Sequence, residues 1–133
     1  MKSAITLIRS VSVALLAYVL IDGPLGMLLQ SALPGETDGR GHSVGLPLML
    51  GDLTIHGIAL FAAGALAAST TSESSPRGAF VASAAVFAFV LGLTLALWDA
   101  EPAWFDIACL LMTPPFQLLA SAWHRAAGKD PHA

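Results

Sequence analysis

Asp52 and His56 stand four residues apart inside an otherwise apolar run, Leu46 to Ser69. On a helix that spacing puts both side chains on one face, one turn apart, where a carboxylate and an imidazole can share a hydrogen bond or a proton. Asp22 and Asp106 lie in two further apolar stretches. A central Asp costs roughly 2.5 to 3.5 kcal/mol to insert into a bilayer, so such residues turn toward a bundle interior and often mark function. Asp22, Asp52, His56 and Asp106 are therefore the candidate cluster, and carboxylates with a His inside a bundle are the parts of proton relays and cation sites. Tyr18, one turn before Asp22, is placed to donate a hydrogen bond to it.

A second polar pattern follows Asp106. Thr113, Gln117 and His124 fall within about 20° of the same line at the helical period, which draws a polar stripe along nearly the whole of the last apolar segment.

Other chemistries use the same residues. The cluster can be structural, with His56 bonded to Asp52 or to a backbone carbonyl and holding helices together. One His and several carboxylates are also ligands for a divalent metal, which places Asp52, His56 and Asp106 as metal candidates, although no local ligand motif supports them. No cofactor is expected, because His56 and His124 fall in opposite halves of the membrane and cannot both be axial ligands of one haem. An enzyme acting on lipid at the membrane surface would draw on Asp99, Glu101 and Asp106 with His56 as base. No Ser or Cys stands in a recognisable nucleophile turn, and the loops are too short to close a pocket over a substrate, which points away from catalysis. Cys109 is the only cysteine, so it has no disulfide or thiolate-cage partner within the chain and reads as a small apolar core residue.

The elements that must position these side chains are apolar helices. The chain has 133 residues, 56% hydrophobic and only 11% charged, with a mean hydropathy of +0.73. Soluble domains carry about 25% charged residues. The expected fold is an all-α membrane protein, one integral domain over 1–133, forming a four-transmembrane-helix bundle with spans of about 5–33, 46–69, 79–98 and 103–125. The first and fourth helices are expected to kink at prolines, at Pro24 and at the Pro114-Pro115 pair, where backbone donors are lost. PGETDGRGHSVG, residues 34–45, is expected to be a flexible solvated loop; its glycines do not open a phosphate-binding helix. TTSESSPRG, residues 70–78, reads as a hydrophilic turn, and the last residues as a short polar tail. In the third helix Ala84, Ala88, Gly92 and Ala96 recur every four residues, a thin strip expected to pack within the bundle, with a dimer interface as the alternative use.

Charge orients the bundle. With four spans, Lys2, Arg9, Arg77, Arg125 and Lys129 share one side, and of the six basic residues only Arg40 is on the other. That asymmetry places both termini in the cytoplasm, in a bacterial cytoplasmic (inner) membrane. Trp98 and Trp104 would then mark the outer interface and Trp123 the inner one. The candidate cluster falls in the outer half, with Asp22 and His56 each on the order of 15 Å deep.

The expected function is that of a small integral membrane protein handling protons or cations, as a transporter or channel component. The alternatives are a non-catalytic assembly or accessory subunit, and then a lipid-directed interface enzyme. The bilayer is the first partner, and a bundle this narrow points to a homo-oligomer or a larger membrane complex. The net charge of −3 and the lack of a basic patch exclude a nucleic-acid partner.

Overall fold

The computed structural model describes residues 2–70 and 77–128. The hydrophilic turn at 71–76 and the polar tail from 129 lie outside them. Among the described residues there are four α-helices: α1 Lys2–Ala32, α2 Leu46–Ser69, α3 Arg77–Leu97 and α4 Ala103–Ala127. Each is long and apolar enough to cross a membrane. Apolar runs of this length must be helical in lipid, because a helix satisfies its backbone polar groups within the segment.

The helices pack as a square in the order α1, α2, α4, α3. Each touches its two neighbours, α2 and α3 meet more sparsely across one diagonal, and among the described residues the backbones of α1 and α4 stay apart. The core is built from small residues and a few larger ones: Ala14, Tyr18, Ala59, Leu60, Ala63, Ala67, Ala82, Val86 and Val90. Alanines let helix backbones approach closely where lipid tails supply no hydrophobic drive for helix association. Large apolar side chains such as Leu20, Leu28, Phe80, Leu111 and Leu119 face outward instead.

Two expectations change. The strip of Ala84, Ala88, Gly92 and Ala96 does not pack within the bundle; all four are exposed, and a Cβ added at Gly92 would meet nothing. The buried face of α3 carries Ala82, Val86, Val90 and Thr94, two residues out of phase. The segment 34–45 is also not simply solvated. It starts with a 3₁₀ turn, Pro34–Glu36, and folds back so that Thr37 pairs with Ser43. Asp38 Oδ1 accepts the backbone N–H groups of Arg40 and His42, and Gly41 takes a positive φ of 86° at the tip.

α1 and α4 stay helical through Pro24 and through Pro114-Pro115. In the turn before the double proline, the Cys109 carbonyl accepts two side-chain donors, Thr113 Oγ1 at 2.9 Å and His56 Nε2 at 3.2 Å. Pro114 and Pro115 remove the helical donors of the next two carbonyls, those of Leu110 and Leu111, so these bonds sit one residue before the interrupted ladder.

Candidate functional site

At the end of the bundle where α1 turns into α2 and α3 into α4, a cavity of about 270 Å³ opens among all four helices. Asp22, Asp52, His56 and Asp106 all line it, joined by Glu101 from the α3–α4 turn. No Lys or Arg is among the described residues lining the cavity.

His56 is the hub. The residue is 5% exposed, and its Nδ1 lies 3.0 Å from the Tyr18 hydroxyl and 3.5 Å from Asp22 Oδ1, both on α1. On its other side Nε2 faces the Cys109 carbonyl of α4. A carbonyl can only accept, so Nε2 carries a hydrogen. In the neutral ring Nδ1 is then an acceptor, and the Tyr18 hydroxyl donates to it. The same hydroxyl stands 3.4 Å from Asp22 Oδ2. If Nδ1 gains a proton, it donates toward Asp22 and the Tyr18 hydroxyl can turn to that carboxylate. Tyr18 is fixed by packing as well as by bonding, with edge-on ring contacts to His56 and to Phe89 of α3. The Asp22 side chain is 32% exposed, so this network joins a buried base to an acid open to the cavity.

Asp52 makes a different contact from the one its spacing suggests. It does not bond His56; its Oδ2 accepts a 2.6 Å hydrogen bond from Ser43 Oγ. Ser43 comes from the folded-back loop and is 1% exposed. The loop therefore closes over α2 through a serine that no helical pattern could single out. His56 does not bond Ser43, so a Ser-His-Asp arrangement is not formed.

Glu101 lies close enough to Asp52 and Asp106 to sense both charges. Burial pushes its carboxyl above the usual range, opposed by the Ser43 backbone N–H. Asp106 is 4% exposed, and its Oδ2 is buried without a hydrogen-bond partner. Asp99 lies apart, in a surface groove with Asp38, Arg40 and His42. Among the described residues, no three His, Cys, Asp or Glu side chains converge as a metal-ligand set.

The stripe on α4 is buried over three of its expected positions. Asp106, Thr113 and Gln117 are inside, Ser121 continues the line, and His124 is only partly covered. Gln117 Nε2 is buried without a partner, while Ser121 Oγ reaches the Gly64 carbonyl of α2. At Gly64 the two backbones approach so closely that an added Cβ would fall 2.8 Å from the Gln117 carbonyl oxygen.

Compared with known protein families, curated proteins and solved structures, the chain matches none. The acids, imidazole and hydroxyl form a graded set from the accessible Asp22 to the buried His56, which is suited to moving a proton. The cavity they line has only acidic or neutral protein groups beside that His, which is suited to holding a cation.

Proposed function

We propose that this small multi-pass membrane protein handles protons or small cations through the cavity at the α1–α2 loop end, as a transporter or channel component. The observation that carries this reading is the Tyr18 hydroxyl lying within reach of both Asp22 and His56 Nδ1. A proton arriving on Asp22 is taken by Tyr18 as Tyr18 gives its own to His56, leaving an Asp22 carboxylate beside an imidazolium with the hydroxyl restored. Thr113, Gln117 and Ser121 then offer a buried polar route along α4 toward the far end.

The proposal includes an orientation with both termini cytoplasmic in a bacterial inner membrane, and helices α1 and α4 bent at their prolines. It includes a homo-oligomer or a larger membrane complex, supported by the outward strip of Ala84, Ala88, Gly92 and Ala96, which a second helix could approach closely. Cysteines placed at the exposed Gly39 and Arg125 in a Cys109→Ala background should label from opposite sides of the membrane. Labelling from one side contradicts the orientation.

A second reading is supported by the way His56 ties α2 to both α1 and α4: the network then serves only to hold an accessory subunit together. Proton flux into reconstituted vesicles, driven by a potassium diffusion potential, separates the two. The relay predicts flux that Asp22→Asn abolishes and Asp99→Asn leaves intact. Flux no greater than in protein-free vesicles would remove the relay and leave the accessory role.

A further inference from the structure

We propose that the cavity binds a small organic ammonium ion, a primary amine carrying a short apolar chain or ring, with its charged head at Asp106. The inference builds on the cation-handling reading of the same cavity and names its ligand class.

Charge sets the sign of the ligand. Asp22, Asp52, Glu101 and Asp106 face the space from α1, α2, the α3–α4 turn and α4, and no Lys or Arg is among the described residues that line it. The buried Asp106 Oδ2, which lacks a hydrogen-bond partner, marks where a donor is missing. Its neighbour Asp52 already has the Ser43 hydroxyl. A carboxylate oxygen shut away from water is stabilised by a charge-assisted N–H donor, and an ammonium head supplies three donors at once.

Size and lining argue against a bare metal ion. Hard divalent cations need oxygen ligands converging within about 2.0–2.6 Å of one point. The described acids form no such set. The cavity, about 270 Å³, has room for more than a head group. Ile55, Leu93 and Phe105 give it an apolar wall beside the carboxyls. An apolar wall with a few converging polar groups is how proteins hold small organic ligands.

The test is calorimetric titration of the full chain in detergent with benzylammonium chloride, and with benzyl alcohol as the uncharged counterpart. Saturable binding of benzylammonium alone is expected, weakened about tenfold or more by Asp106→Asn through loss of a charge-assisted hydrogen bond. Equal binding of benzyl alcohol, no binding of benzylammonium, or an unchanged affinity in folded Asp106→Asn overturns the inference. Should Asp106→Asn not fold, Glu101→Gln in the connecting turn decides: weaker binding supports the inference and unchanged binding overturns it. Binding in a protein that passes no protons would leave this inference standing and remove the relay. Proton flux without benzylammonium binding would do the reverse.

Discussion

His56 Nδ1 lies 3.0 Å from the Tyr18 hydroxyl, a contact between α2 and α1 made by two residues that both line the acidic cavity. Because Nε2 faces a carbonyl, the neutral ring must hold its hydrogen there. Nitrogen-15 shifts of the neutral imidazole should show the Nε2–H tautomer. Tyr18→Phe should cost about 0.6 kcal/mol and no more than about 1.7, the range of interhelical hydrogen bonds in membranes. His56→Leu should cost more, since it strips partners from both neighbouring helices. A double-mutant cycle of thermal unfolding in one detergent should show the two residues coupled.

Asp52 and His56 should behave independently in the same kind of cycle. Their partners are separate, Ser43 for one and Tyr18, Asp22 and Cys109 for the other. The effects of Asp52→Asn and His56→Leu should therefore add to within about 0.5 kcal/mol. Ser43→Ala should mimic part of the Asp52→Asn effect, because it removes the loop-to-helix bond that Asp52→Asn weakens by exchanging a charged acceptor for an amide oxygen.

Gly64 should tolerate no side chain. A Cβ there would meet the Gln117 backbone at 2.8 and 2.9 Å, and backbone cannot swing aside as the end of a side chain can. Gly64→Ala should destabilise the bundle by about 1–3 kcal/mol, as overpacking of a close contact does. Gly57→Ala should cost less, since its nearest neighbours are the tips of Phe116 and Met112.

Two loop acids should respond to pH with opposite signs. The His42 backbone N–H, and then the His42 side chain, hold Asp38 down to about 2 from its ordinary 3.8. The loop is then fully supported above 3.8 and loses that support as pH falls toward 2. The His42 amide resonance should report a midpoint near 2. Glu101 is raised by burial, so its charge opposes folding at neutral pH and the penalty disappears below its ordinary 4.5. Glu101→Gln should raise the Tm at pH 7.5 and change it little at pH 4, in differential scanning of both proteins.

The helices were legible because lipid leaves an apolar run of twenty-odd residues little choice but to be helical. Their expected limits fall within three residues of those in the structure, as at Ala103 and Leu46. The buried α4 stripe was legible for the same reason: period fixes face. Partners were not. Spacing placed Asp52 and His56 on one face, but which partner each takes depends on how neighbouring helices and loops approach, and period carries no such information. Ser43 and the Cys109 carbonyl escaped for this reason, one sitting in a glycine-rich loop and the other being backbone. The thin strip of α3 was visible as a pattern, yet which face of a helix turns inward is decided by its neighbours, and they took Val86 and Val90 instead.

Proton flux through vesicles containing Tyr18→Phe shows whether the Tyr18 hydroxyl carries protons between Asp22 and His56. The change removes one oxygen and leaves the ring in its contacts with His56 and Phe89, so the helices stay in place while the hydroxyl that bridges Asp22 and His56 is lost and only their longer 3.5 Å approach remains. Measured beside the unaltered protein, with folding checked by its melting curve, the variant should pass protons no faster than protein-free vesicles. A folded Tyr18→Phe that conducts as fast as the parent would mean that the hydroxyl carries no protons and that the relay does not exist.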